Sequence, residues 1–295
     1  MFTEIKKENT SKNKIIRLGT TRHLTKMTDE NNELLPIFKK IKTNFSVALK
    51  KYYAGMIDGD GSITKENKEN KKRKLYCKLE LTEDAALPVT ELADIFDLSV
   101  SKRVRSGEKY KNAKPSLMIT IAGLKAKWFL INIYPYLLEK KEECKTSLIS
   151  AGCPEHFFED PFMEYRKFSY EYLAGYTDAE GHIGVYQNKK SSYFFLYFLT
   201  STNFKQINFI SEKLKEDGFK IKIRTDDYKR TKDGIERTQK TSYQLHVNGG
   251  HKDRAKLYKK LLPFTKIKHK IEGMKNTIKY NEISNMIARR KNEME

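Results

Sequence analysis

The feature that constrains this chain most is an internal repeat. Residues 53–61 read YAGMIDGDG and residues 173–181 read LAGYTDAEG, in equivalent places 120 residues apart. A self-similar period is the signature of a duplicated structural unit. The first copy closes a helical pattern in which Phe45, Leu49, Tyr52, Tyr53 and Met56 share a face up to the stop at Gly59 and Gly61. Two strand-like segments follow (GSITKENK and KLYCKLELTED), then a helix (LPVTELADIFD), a hairpin (SVSKRVRS and PSLMITIAG) and a closing helix (LKAKWFLINIYPYLLEKK). The second copy runs in the same order, from KFSYEYLAGYTDAEG to DRAKLYKKLLPFTK. Pro135 and Pro263 lie 128 residues apart, so the second copy holds about eight more residues, for which the TDDYKRTKDGIERTQK turn is the natural place. The expected fold is therefore α+β: two pseudo-symmetric α-β-β-α-β-β-α units with antiparallel sheets. The expected division is a flexible, basic extension over 1–43, units over 44–149 and 167–270, a proline-bearing linker over 150–166 and a C-terminal helix within 271–295. A transit peptide and a DNA-contacting arm are the alternatives for the extension.

Composition narrows the function. Of 295 residues, 38% are hydrophobic, enough for a core, and no run approaches the roughly 18 apolar residues of a membrane helix. The three cysteines (Cys77, Cys144, Cys153) form no C-x-x-C pair, which argues against a disulfide framework and a thiolate zinc site. The formal net charge of +20 calls for a polyanionic partner, nucleic acid before membrane. Of the 58 basic residues 46 are lysine, which points to an A+T-rich genome rather than to chemistry.

The repeated element carries both structure and chemistry. Ala54, Gly55, Ala174 and Gly175 are small enough for two helices to approach backbone to backbone. Asp58, Asp60, Asp178 and Glu180 stand at helix C-termini, where the macrodipole disfavours carboxylates. Asp58 and Asp178 are read as bonding local backbone. If the helices are adjacent, Asp60 and Glu180 repel each other as well, and divalent cations are the natural remedy. Hard oxygen donors favour Mg²⁺ or Mn²⁺ over zinc, and carboxylates with metals on a phosphate are the apparatus of phosphodiester displacement.

On these motifs the chain resembles a LAGLIDADG homing endonuclease of the single-chain, two-motif kind, over 44–270. The resemblance implies cleavage of both strands of a long asymmetric DNA duplex to leave 3′ overhangs, and mobility of the host intron. It implies that Asp60 and Glu180 coordinate the metals, with backbone near Gly59 and Ala179. It places a lysine by each scissile phosphate, nominating Lys140 (with Lys141 as competitor) and Lys268. It puts a polar residue at the end of each unit's second strand to orient solvent, here Glu83 and Ser201. It also implies LAGLIDADG helices at the interface and a saddle of strands on DNA. An organelle, mitochondrion or chloroplast, follows if the gene is organellar, and otherwise an intracellular site.

Alternation along strands sends one set of side chains to DNA. The expected set is Thr64, Glu66, Lys68, Lys78, Glu80, Arg103 and Arg105 in the first unit. In the second it is Tyr186, Asn188, Lys222, Arg224, Lys240, Tyr243 and Gln244. The units differ at nearly all these places, so the target is expected to be asymmetric and the protein a monomer. The competing reading is an RNA maturase that binds its host intron. Retention of both acids favours the nuclease.

Overall fold

Alternating burial, not mean hydropathy, explains the sheets. In the computed structural model Leu75, Cys77, Leu79 and Leu81 are buried while Tyr76, Lys78 and Glu80 between them are half-exposed, so one face of the strand meets helices and the other stays open. The structure describes residues 45–66, 74–104, 114–159, 168–187, 193–226, 229–232, 235–238 and 241–294. The 1–43 extension, Lys68, Arg105, Asn188 and Lys240 lie outside them.

The first copy comprises α1 (Val47–Asp60), β1 (Gly61–Glu66), β2 (Lys74–Thr82), α2 (Leu87–Phe96), β3 (Ser101–Arg103), β4 (Ser116–Ala122) and α3 (Gly123–Ile133), followed by α4 (Lys141–Ser150). The second comprises α5 (Tyr170–Glu180), β5 (Gly181–Gln187), β6 (Tyr193–Ser201), α6 (Phe204–Glu216), β7 (Ile221–Asp226), β8 (Lys229–Lys232), β9 (Ile235–Thr238), β10 (Ser242–Val247) and α7 (Gly250–Leu261). A last helix, α8, runs Lys268–Met294. The sheets have equivalent orders, β1-β2-β4-β3 and β5-β6-β10-β7, and every pairing is antiparallel. The extra residues of the second copy form the β8–β9 hairpin, a separate two-stranded sheet. The α+β class and the unit order expected from the repeat are those observed.

Val47–Asp94 and Leu98–Glu295 belong to one unit, which holds nearly all of both copies; among the described residues Phe45, Ser46 and Ile95–Asp97 fall in another. Within the latter, the rings of Phe45 and Phe96 meet edge to face, 6.0 Å apart. Register is pinned at the same point in both sheets. The glycine after each acid opposes a buried leucine, Gly61 with Leu79 and Gly181 with Leu199. Each acid therefore ends a helix that passes directly into its strand. Among the described residues no helix is long and apolar enough to cross a membrane, and all three cysteines are buried free thiols.

Candidate active site

The site begins with the packing of α1 against α5. A Cβ on Gly55 would lie 2.1 Å from the Tyr172 carbonyl oxygen, and one on Gly175 would lie 1.9 Å from that of Tyr52. No side chain fits there, so glycine sets the spacing, and the fully buried Ala54 and Ala174 flank it. The crossing is symmetric in its polar contacts too. Tyr52 donates its hydroxyl to Asp178 Oδ2 at 2.7 Å, and Tyr172 donates to Asp58 Oδ2 at 2.8 Å.

The expectation that these two aspartates bond local backbone is corrected by their partners, which lie far along the chain. Asp58 accepts the amides of Leu138 (2.7 Å) and Lys140 (2.8 Å), about eighty residues on. Asp178 accepts the amide of Lys266 at 2.7 Å. Each aspartate thus ties its own helix end to the loop that closes its unit, and through tyrosine to the other helix. Burial raises both carboxyls above the ordinary range, and the donated hydrogen bonds oppose it. Only contacts between segments far apart in sequence reveal this role.

Asp60 and Glu180 end their helices side by side. A Cβ on Gly59 would meet Ala179 Cβ at 2.4 Å and Glu180 Cγ at 3.1 Å, so the second helix end lies against the first. Asp60 keeps solvent access but is enclosed by enough protein for burial to raise its carboxyl; the charges of Lys270 and Lys140 oppose that. Glu180 is raised by burial, then by the charges of Asp60 and Glu139, against Lys140 and Lys270. Two carboxylates and two ammoniums therefore share one electrostatic neighbourhood, and Glu139 adds a third carboxylate.

The lysines sit on the helix ends. Lys140 Nζ donates to the carbonyls of Ile57 (2.7 Å), Gly59 (3.0 Å) and Gly61 (2.7 Å). In the second unit the counterpart is Lys270, whose Nζ donates to Thr177 O (2.6 Å) and Asp178 O (2.5 Å). This corrects the choice of Lys268, which is exposed at the first residue of α8. Lys140 and Lys268 both stand five residues after their proline. In the first unit that place is the cap residue of α4, in the second it is already the first residue of α8, and the ammonium on the helix end comes from two residues later. Lys141 is also buried but turns its ammonium to the Tyr134 ring, 5.0 Å from the centroid. Each ammonium offsets the negative end of a helix macrodipole. Burial lowers Lys270, while Asp178, Asp60 and Glu180 raise it. The Gly59 carbonyl, offered as a metal ligand, is already an acceptor for Lys140.

Register also corrects the solvent-orienting pair. Since Leu79 and Leu199 are equivalent, Ser201 corresponds to Leu81, and Glu83 corresponds to Asn203. Glu83 lies outside the site, paired with Lys102 at 2.8 Å, and Asn203 caps α6 by accepting the Gln206 amide at 3.3 Å. Ser201 does reach the site. It lines a pocket of about 170 Å³ with Asp58, Glu139, Tyr176, Glu180 and Thr200, and its hydroxyl donates to Glu139 Oε2 at 3.4 Å. Glu139, raised by burial and the charge of Asp58, is the residue that sequence reasoning missed. Its position beside the nominated Lys140 was the available signal.

On the open sheet faces Thr64, Lys222 and Arg224 are exposed, Lys78 and Gln244 are half-exposed, and Tyr186 is 51% exposed. Glu66 ends β1. Glu80 is engaged within its own sheet by Ser116 (2.5 Å) and Arg103 (3.4 Å). Tyr243 does not belong to this face. It alternates with Gln244 and packs its ring on Phe204 of α6, 5.0 Å away.

Among the described residues no group of three or more His, Cys, Asp or Glu side chains could hold a metal by itself. Two adjacent carboxylates, both raised by burial, nonetheless form a hard-oxygen donor pair that a divalent cation fits, provided phosphate and water complete its shell.

No family model and no curated protein matches the sequence. Among solved structures, the chain is similar to the LAGLIDADG meganuclease I-AabMI bound to uncleaved DNA (15% identity, 80% of this chain and 91% of that one, TM-score 0.49). It is similar to the LAGLIDADG homing endonuclease I-LtrWI bound to target DNA (13%, 82% and 92%, TM-score 0.47). It is also similar to I-DmoI in complex with DNA and Ca (13%, 78% and 98%, TM-score 0.45).

Proposed function

We propose that this chain is a single-chain LAGLIDADG homing endonuclease, a monomer that cuts both strands of a long asymmetric DNA site in a Mg²⁺-dependent reaction and so promotes mobility of its own intron. The observation that carries the reading is the convergence of Asp60 and Glu180, one from each copy of the repeat, between Lys140 and Lys270. Two acids at a helix crossing are costly unless something cationic uses them. Asp60 and Glu180 would hold the cation, which when bound polarises the scissile phosphate and supplies a more acidic water. Lys140 and Lys270 would stabilise charge on the phosphates, each held in place by carbonyls of the adjoining helix end. Asp58 and Asp178 fix the loops that carry or precede these lysines. Affinity would come from the lysine-rich surface, with a steep salt dependence, and specificity from the open sheet faces.

The test is cleavage of a plasmid carrying the fused flanks of the gene's insertion site, in Mg²⁺ and in Ca²⁺, by wild type, Asp60→Asn and Glu180→Gln. Linearisation in Mg²⁺ that falls by at least about 10³-fold in both variants is the expected result. Absence of cutting and of specific duplex binding, with tight binding of the intron RNA instead, would overturn it.

A further inference from the structure

The open faces of the two sheets differ in kind at equivalent positions. Across the first sheet one register row reads Ser62, Lys78, Thr120. The equivalent row of the second reads His182, Phe198, His246, with Lys222 beyond on the edge strand. The rings of that row stand against one another. Phe198 lies 5.0 Å from His182 with planes 21° apart, and 5.4 Å from His246 at 32°. Tyr186 extends the row. Its hydroxyl is 2.8 Å from His182 Nε2 and its ring plane is within 6° of the imidazole. Gly184, between them on β5, makes this possible, because a Cβ there would lie 2.3 Å from Tyr186 Cε2. Gln244 Oε1 in turn meets His246 Nε2 at 3.1 Å and fixes the far end of the band.

The band is well ordered by its own contacts, and most of it is uncovered: His182 and Tyr186 are exposed and Phe198 half-exposed, while His246 at the far end is buried. Rings 5.0–5.4 Å apart are too close to lie side by side in one plane, so Phe198, stacked on His182 and tilted against His246, turns its faces to the two imidazoles and its edge outward. A platform for unpaired bases needs free ring faces. A ring edge suits a methyl group instead, and the thymine C5-methyl is the apolar group displayed in the DNA major groove. Lys78, at the same row of the first sheet, suits the guanine O6/N7 acceptors.

We infer that Phe198, held upright between His182 and His246, reads thymine methyl groups, so that the second unit recognises its half-site by apolar contact where the first unit uses Lys78. The inference rests on the nuclease reading above. Burial and the charges of Arg224, Arg254 and Lys222 lower His246 below the ordinary imidazole range, with Asp226 opposing them.

The experiment selects the preferred duplex from a randomised pool with the full chain in Ca²⁺, then replaces its thymines one at a time by deoxyuridine, which removes only the methyl. At one or two positions in the half-site bound by the second unit, the change should weaken binding about three- to fivefold, the value of one buried methyl. That penalty should vanish in Phe198→Ala and persist in Phe198→Leu, whose apolar side chain keeps the contact. A specific duplex without methyl penalties, or with penalties unchanged in Phe198→Ala, would overturn the inference and leave the nuclease reading intact. Preference for single-stranded RNA, lost in Phe198→Ala, would overturn it in favour of base stacking. Failure to select any duplex would remove the nuclease reading and this inference together.

Discussion

The two halves of the molecule share a backbone plan and differ in how each completes the site. Around the crossing they are nearly interchangeable: Tyr52 and Tyr172, Gly55 and Gly175, Asp58 and Asp178 make reciprocal contacts. A few residues further out the likeness ends. The first half supplies its ammonium from Lys140, immediately before α4, and carries Glu139 beside it. The second supplies Lys270 from the first turn of α8, and the place equivalent to Glu139, at the offset of the two prolines, is the buried Ile267. Duplication preserves what both copies must do to each other, because a change in one without the other would cost a buried carboxylate its hydroxyl donor. It does not constrain the loops in the same way, since each loop answers only to its own half.

Three measurements would break or sharpen this comparison. The largest effect is expected at the lysines. Lys270→Met should slow cleavage of one strand by about 10²-fold or more, as loss of a charge-stabilising donor does, whereas Lys268→Met should stay within about twofold. Strand-specific end labels read this directly, and the opposite ranking would restore Lys268 and dissolve the equivalence of Lys140 with Lys270.

Next come the tyrosines. Tyr172→Phe leaves Asp58 Oδ2 without its hydroxyl donor and also removes the acceptor of Gln206 Nε2, now at 2.9 Å. Unfolding in urea should show a loss of about 2–3 kcal/mol, against about 1–2 kcal/mol for Tyr52→Phe. Equal losses would mean that Gln206 contributes nothing to the difference between the halves.

The smallest effect is expected at Glu139. Its charge helps hold the Glu180 carboxyl above the ordinary range. Glu139→Gln removes that charge, so Glu180 ionises at lower pH and the acid limb of the cleavage profile moves to lower pH. The variant should also change the ratio of the two nicking rates by about two- to fivefold, because only one half carries this carboxylate. An unchanged limb together with an unchanged ratio would make Glu139 a bystander.

Much of this is legible in the sequence. The paired motifs at a 120-residue interval dictated two like units, because the same apolar spacing and the same glycines force the same local conformations. They also singled out Asp60 and Glu180, since acids at helix ends are chemically conspicuous wherever the chain goes. Tertiary structure decided the rest. The tie from Asp58 to Leu138 and Lys140 spans about eighty residues, and no local pattern announces it. The choice of Lys270 over Lys268 depends on where a helix begins, and that of Glu83 or Ser201 on strand register. The ring band on the second sheet joins β5, β6 and β10, and only pairing brings them together. Sequence periodicity fixes which residues share a face within one element; which elements then meet depends on burial and hydrogen bonding summed over the whole chain.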